Sequence, residues 1–251
     1  MAADAGAASS SCLSLGSAGS YSEYSTSTAL VSDDTTDGGV AYGGQASLTG
    51  DSFSTASTSP SQLTLVAGSA LSGTSVTLNN GSAVYVGPLT GWISDTGGGT
   101  VTQVPSSGLP FQFSGAGSTL QSASTTLGGL STTGTIAKTS TKLALTGTTT
   151  GTQTNVFDVN ASGGAVSTIT SVVINAPLNA VVVVNLQAST LSLSHVTVTL
   201  EGGITASLTL DHDTISGTVL APIASVTTSH LVVTGGSLLV NVANFANDNI
   251  T

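Results

Sequence analysis

Few side chains in this chain of 251 residues are able to take part in acid–base or ligand chemistry. The sequence holds two Lys, no Arg, 12 acidic residues and three His. A catalytic site brings several titratable groups together, and this chain has few to bring. Only 6% of the residues are charged, against about 25% in an ordinary globular protein. The composition therefore favours a binding or structural role over catalysis.

Two acidic groups are candidates for metal ligands: Asp211 with Asp213, and Asp33 with Asp34 and Asp37. The first pair would supply half of a metal site, because a complete site needs three or four converging ligands. The second group offers the oxygen ligands that Ca²⁺ prefers, but its spacing is not that of an EF-hand. We interpret both groups as solvated turns, and we expect no metal and no cofactor.

Threonine is a further candidate for function because it combines a hydroxyl with a methyl group. On exposed strands, a flat row of such groups would organise water into an ice-like array, and the candidates are Thr197, Thr199, Thr205 and Thr209. The alternative is that Thr simply suits exposed strand positions.

Other single residues add little chemistry. Three sequons, at Asn80, Asn160 and Asn249, would be N-glycosylated only on a secretory route. Cys12 is the only cysteine, so it forms no internal disulfide, and we interpret it as a free thiol. Trp92 is either a binding platform or, in the interpretation we prefer, an aromatic plug at one end of a small-residue core.

The pattern along the chain predicts short strands and one helix. From about Ala29, strand-like pieces alternate with Gly, Asn, Asp and Ser, which is typical of closely spaced strands. Between Phe113 and Leu130, apolar residues recur at steps of three and four, which predicts a helix over residues 114–130. Its Ser, Thr and Gly content is poor for an isolated helix, so its Leu face must dock on the β structure.

A loose periodicity runs through the C-terminal half, where His195, His212 and His230 recur at nearly equal intervals. Repeats of this length suit one coil of a β-solenoid, in which small apolar residues stack into a continuous core. We predict an all-β, right-handed β-helix-like solenoid over residues 29–251 with one flanking helix. Residues 1–28 would form a small-residue segment that is extended or docked on a partner.

Several short motifs, in this order, resemble the choice-of-anchor A domain of secreted and surface-attached proteins, which is often labelled collagen-binding-like. The motifs are DGGVAYGGQASL at 37–48, LTG at 145–147 with NVF at 155–157, INAP at 174–177 and GTVLAP at 217–222. The resemblance implies a solenoid-like β fold on the cell exterior and no catalytic residue. A similar plan, a three-faced solenoid with a flanking helix, occurs in a microbial ice-binding family, as an analogy of fold only.

These observations predict an extracellular, non-catalytic module that acts by surface binding or by self-assembly, including head-to-tail filaments. Its partners would be copies of itself or an extracellular matrix or surface ligand. The alternative is an ice-binding protein with a flat Thr face.

The net charge of −10 argues against nucleic acid as a partner, and no apolar run is long enough to cross a membrane. The start of the chain lacks the pattern of a signal peptide, so we expect a leader to have been removed. The absence of Arg argues against a polysaccharide lyase.

Overall fold

The fold is given by a computed structural model that describes most of the chain. The described residues are 14–55, 62–139, 142–147, 154–160, 171–175, 181–187, 191–194, 197–198, 201–203, 207–211, 213–216 and 218–251. They contain one α-helix, α1 (Phe113–Gly128), and two short 3₁₀ helices at Gly16–Ser20 and Ser106–Gly108.

The remaining regular elements are strands, most of them short. In chain order they are β1 (Glu23–Ser25), β2 (Ala29–Ser32), β3 (Thr35–Asp37), β4 (Val40–Tyr42), β5 (Ala46–Thr49), β6 (Ser52–Ser54), β7 (Leu63–Ala67), β8 (Leu71–Leu78), β9 (Ser82–Tyr85), β10 (Leu89–Asp95), β11 (Val101–Gln103), β12 (Thr135–Lys138), β13 (Lys142–Thr146), β14 (Thr154–Asn160), β15 (Ser171–Asn175), β16 (Val181–Gln187), β17 (Leu191–Ser194), β18 (Thr197–Val198), β19 (Glu201–Gly203), β20 (Ser207–Asp211), β21 (Thr214–Ser216), β22 (Thr218–Ser229), β23 (Val232–Thr234), β24 (Leu238–Ala246) and β25 (Asn249–Ile250).

Parallel pairing arranges twenty of these strands into three long faces of a solenoid. Face A contains, in order, β11, β9, β7, β4, β1, the first part of β24, the first part of β22, and β19. Face B contains the first parts of β10 and β8, then β5, β2, the second parts of β24 and β22, β20 and β17. Face C contains the second parts of β10 and β8, then β6, β3, β25, β23, β21 and β18.

The first coil of the solenoid pairs with the last coil, not only with the coil that follows it. Glu23 is in register with Leu238 on face A, and Ala29 with Ala243 on face B. On face C, Thr35 is in register with Asn249. We call this pairing of residues 23–37 with residues 238–250 the seam. The coils that follow residue 37 therefore stack on one side of the seam, and the C-terminal coils stack on its other side.

Small apolar side chains fill the space between the three faces. One inward column on face B runs Val226, Ala243, Ala29, Ala46 and Leu71, each in register with the next. All five side chains are at most 1% exposed. Alternation along each strand places these residues inside and their neighbours outside, so the core is continuous across the seam.

Helix α1 covers face A. Its buried residues Ala116, Leu120 and Ala123 pack on outward residues of that face, which include Tyr24 and Leu239. On its exposed side, Ser and Thr hydroxyls donate to carbonyls one turn earlier, as Ser118 Oγ does to Ser114 O at 2.9 Å. These bonds satisfy the hydroxyls locally, while docking supplies the stability that the composition lacks.

The predicted solenoid with one flanking helix is confirmed. On face C, Thr197 pairs with Thr214 and Thr214 pairs with Val232, which is the same sequence spacing as that of the three His. One coil of the solenoid is therefore the period that the sequence shows. His195 and His212 themselves lie outside the described residues.

The predicted boundary after residue 28 falls between β1 and β2, which both pair with β24. Within the described residues, no helix has the length and apolar character needed to cross a membrane.

The docking of α1 is tested by truncating its central buried residue. Leu120 is 0% exposed, and we expect Leu120→Ala to lower the free energy of unfolding by about 2–5 kcal/mol. Gln121→Ala, on the exposed side of the same turn, is the control and should change it by less than about 0.5 kcal/mol. Chemical denaturation followed by circular dichroism measures both. Equal effects of the two variants would contradict the docking.

Candidate functional site

Faces B and C expose their outward side chains, whereas face A lies under α1. On face B the positions that alternate with the core positions along each strand form two columns that cross the strands at right angles. Column 1 runs, in register, through Ser192, Thr209, Thr227, Asn244, Leu30, Ser47, Ser72 and Thr90. Column 2 consists of Ser194, Asp211 and Ser229, and then of Ala246, Ser32, Thr49 and Thr74; the His230 N–H, which donates to Ala246 O at 3.0 Å, joins the two parts. Parallel strands fix the spacing within a column at about 4.8 Å.

The side chains that are described in the two columns of face B are short, and none of them is charged. Thr227, Thr49, Thr74 and Thr90 are exposed, and the Ser residues are partly exposed. The one large apolar residue in these columns is Leu30, which is 58% exposed. Asp211 takes a position in column 2 beside Ser229, in the half of the face farthest from β10.

The hydroxyls of face B differ from those of face C in their hydrogen bonding. On face C, Asn79 Nδ2 donates to Ser52 Oγ at 2.7 Å, and Thr96 Oγ1 donates to Asn79 Oδ1 at 3.3 Å. Ser54 Oγ also donates to the carboxylate of Asp37. In the part of face B whose side chains are described, the only such bond joins Ser229 to the adjacent His230. The described groups of face B are therefore available to an external partner, whereas five groups of face C, those of Asp37, Ser52, Ser54, Asn79 and Thr96, bond to one another.

The four predicted Thr candidates do not form one row. Thr209 lies in column 1 of face B, in register with Thr227, whereas Thr197 pairs with Thr214 on face C. Thr199 and Thr205 lie outside the described residues. The flat array that the structure does present is built from Ser and Thr positions spread over both halves of the chain, which sequence reasoning missed because they are not adjacent in sequence.

Buried acidic residues line the corner between faces B and C. The Asp51 carboxylate accepts the backbone N–H of Asp34 at 3.1 Å, and the Asp34 carboxylate accepts the N–H of Asp248 at 2.8 Å. The Asp248 carboxylate in turn accepts the N–H of Leu231 at 2.8 Å and the Thr228 hydroxyl. We call Asp34, Asp51 and Asp248 the corner ladder. Each carboxylate bonds the next coil, so the ladder links four successive coils across the seam.

The residue just before each corner position has a left-handed backbone. Asp33, Asn247 and His230 have φ of 58°, 57° and 55°, and Gly50 has φ of 76°. Asp and Asn accept this conformation more readily than most residues do, which explains their recurrence here. Asp34 and Asp51 are one coil apart in sequence, and that repeat was the available sequence signal.

Glu23 is buried near the ladder, inside the first coil. It accepts hydrogen bonds from Tyr42 Oη at 2.6 Å and from the Thr36 hydroxyl. Nothing in the sequence pairs Glu23 with Glu201, and the structure places Glu201 in β19 at the C-terminal side of face A. Burial and the hydrogen bonds to Tyr42 and Thr36 therefore make Glu23 part of the seam.

Burial raises the pKa of every one of these carboxyl groups. Loss of hydration raises the pKa of Asp34 to about 9, of Asp51 to about 7 and of Asp248 to about 6. It raises the pKa of Glu23 to about 7, against the opposing effect of its two hydroxyl donors. Glu23 and Asp248 add a repulsive contribution that raises the pKa of Asp34 further. The interior therefore favours neutral carboxylic acids.

The three acidic residues of the predicted site at residues 33–37 lie in different surroundings. Asp34 is buried at the corner, whereas Asp33 and Asp37 are exposed. Asp213 is buried, at 1% exposure, and Asp211 ends β20. Among the described residues, no set of three His, Cys, Asp or Glu is arranged to hold a metal ion.

The three predicted glycosylation sites lie in different surroundings. Asn80 is half-buried, and Gly97 of the next coil lies against it. Asn249 is exposed on face C, and Asn160 ends β14. Cys12 lies outside the described residues.

The preferred interpretation of Trp92 is wrong. Its side chain is 57% exposed and does not plug the core. The pairing of β10 with β8 skips a position between Gly91 and Ile93, so that Trp92 stands opposite both Thr74 and Ser75. This bulge turns the indole outward at the end of the solenoid.

Comparison with known proteins gives a family. A family model described as "Putative Ice-binding-like adhesive domain" matches residues 14–248. The crystal structure of an ice-binding protein from an Antarctic ascomycete, Antarctomyces psychrotrophicus, aligns with 14% identity over 95% of this chain and 97% of that chain, with a TM-score of 0.38. No curated protein gives a significant match.

The buried carboxyl groups make stability depend on pH. Their pKa values are higher in the folded than in the unfolded state, so the stabilisation is complete below the unfolded values of about 4 and is lost as the pH rises through the folded values. We expect the melting temperature to fall by on the order of 10 °C between about pH 5 and about pH 9. Scanning calorimetry across this range measures it.

Asp34→Asn is the matched variant, because the amide keeps an acceptor oxygen and carries no charge. With this substitution the melting temperature should fall less between about pH 5 and about pH 9 than in the wild type. Near about pH 9 the variant should melt at a higher temperature than the wild type. A flat profile in the wild-type protein would contradict the assignment of neutral buried acids.

Proposed function

The chain belongs to the ice-binding-like adhesive domain family, and we propose that it is an extracellular, non-catalytic adhesive module that binds a repetitive, uncharged surface through face B. One observation carries this proposal: the described hydroxyls of face B form regular columns and are almost free of internal hydrogen bonds. Flat strands hold such columns rigidly, so little conformational entropy is lost on binding.

Face B suits a partner that presents many identical hydrogen-bonding groups. Single contacts with exposed Ser or Thr are weak in water, and a repetitive surface multiplies them. Leu30, at the middle of column 1, adds apolar contact between two polar neighbours, Asn244 and Ser47. The acidic net charge disfavours an anionic partner.

The non-catalytic role is supported by the position of the carboxyl groups. Glu23, Asp34, Asp51 and Asp248 are at most 2% exposed. They hold backbone and hydroxyl groups of neighbouring coils, and they do not open onto face B.

A second candidate function, ice binding, is favoured by the grid itself. Hydroxyl and methyl groups repeat at about 4.8 Å along a column and at about 6.6 Å between columns, as two residues of a strand require. Such a grid would hold ordered water. Leu30, Asn244 and Ala246 interrupt it near the seam, which is why adhesion to a hydroxyl-bearing surface is the first proposal.

Self-assembly through the solenoid ends remains a proposal with less support. One end carries β12, which pairs antiparallel with β13. The exposed side chains of Lys138 and Lys142 lie on these two strands. Charged residues at a strand edge discourage pairing with another copy. The resemblance to choice-of-anchor A domains and to their matrix ligands likewise stays a prediction.

Adhesion through face B is tested by placing a bulky side chain in column 1. We expect Thr227→Tyr and Ser47→Tyr to weaken adsorption to an insoluble neutral polysaccharide about tenfold or more, because the ring holds the flat face off the surface. Depletion isotherms on microcrystalline cellulose, chitin and curdlan measure this loss. Thr35→Tyr, at the matching exposed position on face C, is the control and should bind as the wild type does. Equal losses on both faces, or no wild-type adsorption, would refute the proposal.

Ice binding has its own readout on the same proteins. If it is the function, the wild type shows thermal hysteresis and shaped ice crystals, and Thr227→Tyr abolishes them while Thr35→Tyr does not. Freezing-point measurement by nanolitre osmometry decides this. If the wild type shows no thermal hysteresis, ice binding is refuted and the proposal of adhesion is unaffected.

A further inference from the structure

Trp92 is one of two large hydrophobic side chains that the described part of the chain exposes to solvent; the other is Leu30. It is also the only tryptophan in the sequence. Exposing an indole forfeits the favourable free energy of burying it, so its position calls for an explanation outside folding.

The backbone around Trp92 is shaped to present the indole. Gly91 has φ of 83° and lies so close to Gly73 that an added Cβ would come within 2.0 Å of the Gly73 carbonyl oxygen. Only glycine fits there. Because β10 uses one residue where β8 uses Thr74 and Ser75, Trp92 lies beside Thr74, beyond the last residue of column 2.

An open cavity of about 620 Å³ lies beside the indole, on the surface formed by β8 and β10. Its lining includes the hydroxyl residues Thr74, Ser75, Thr77 and Ser94, together with Gly73 and Trp92. No charged side chain lines it. An aromatic face bordered by hydroxyls matches a sugar ring, which has an apolar face of C–H groups and a rim of hydroxyls.

We propose that Trp92 and this cavity form a binding subsite for a neutral polysaccharide chain. The indole stacks on one sugar ring, and the hydroxyls of Thr74, Ser75 and Ser94 bond its rim. From this subsite the polysaccharide runs across face B along column 2, past Thr74 and Thr49. This inference rests on the proposed function and names its ligand class.

Charge selects the neutral members of that class. The protein carries a net charge of −10 and its two Lys lie on β12 and β13, at the opposite end of the solenoid. Asp33, within the seam, is exposed at the corner between faces B and C. A uronate chain would therefore meet repulsion with no cation to offset it.

Because Trp92 is the sole tryptophan, its fluorescence reports on the subsite directly. The probes are cellohexaose, chitohexaose, laminarihexaose and maltohexaose, with polygalacturonate as the anionic comparison. We expect at least one neutral hexasaccharide to shift or quench the emission saturably, and polygalacturonate to leave it unchanged. No change with any neutral probe, or a response to polygalacturonate alone, would overturn the inference.

Variants separate the subsite from general adsorption. By calorimetry, Trp92→Ala should weaken binding of that hexasaccharide at least tenfold, and Trp92→Phe should retain an intermediate affinity. Thr35→Ala, at an exposed position of face C outside both proposed surfaces, is the control and should bind as the wild type does. Circular dichroism checks that the fold is intact.

The two proposals fail separately. If the wild type adsorbs to an insoluble polysaccharide through column 1 but Trp92→Ala adsorbs and binds hexasaccharide equally well, the subsite is refuted and face B stands. If no polysaccharide, soluble or insoluble, binds at all, both are refuted.

Discussion

The parallel pairing of the first coil with the last holds the two halves of this solenoid together. Glu23 and Leu238 lie near opposite ends of the chain, yet they share a register on face A. The same seam crosses face B at Ala29 and face C at Thr35. Without it, both halves would end in unpaired strand edges and open cores. Contacts this distant in sequence carry a large entropic cost of chain closure before they form.

The seam also explains where charge resides. The corner ladder and Glu23 hold coils on both sides of it through backbone N–H groups and hydroxyls. Burial raises the pKa of these acids, because the neutral form costs less free energy to enclose than the carboxylate does. Several of the chain's few ionisable groups are thus used inside, while the described side chains of face B carry no charge. An uncharged face of hydroxyls and a buried set of acids both follow from the same scarcity of titratable residues.

The three faces differ because their outward residues differ. Tyr24, Ala41 and Leu239 are apolar and bury themselves under α1. Part of face C bonds its polar groups to one another, and face B leaves its groups largely without such bonds within the described residues. Trp92 lies at one end of face B, where the bulge between β8 and β10 turns the indole outward. The two proposed binding features, a flat array and an aromatic platform, both arise from the outward residues of face B and its end.

The sequence by itself determined the kind of fold and its period. Apolar residues at steps of three and four predicted α1, which the structure places at Phe113–Gly128, and the spacing of the three His matched the coil length. These signals are local, since they depend on helix and strand periodicity within one coil or two. Which coils are neighbours, which face each Thr occupies and whether Asp34 or Trp92 is buried were decided by the tertiary structure alone. The physical reason is that a register set between strands from opposite ends of the chain, and one skipped position at a corner, leave no periodic trace in the sequence.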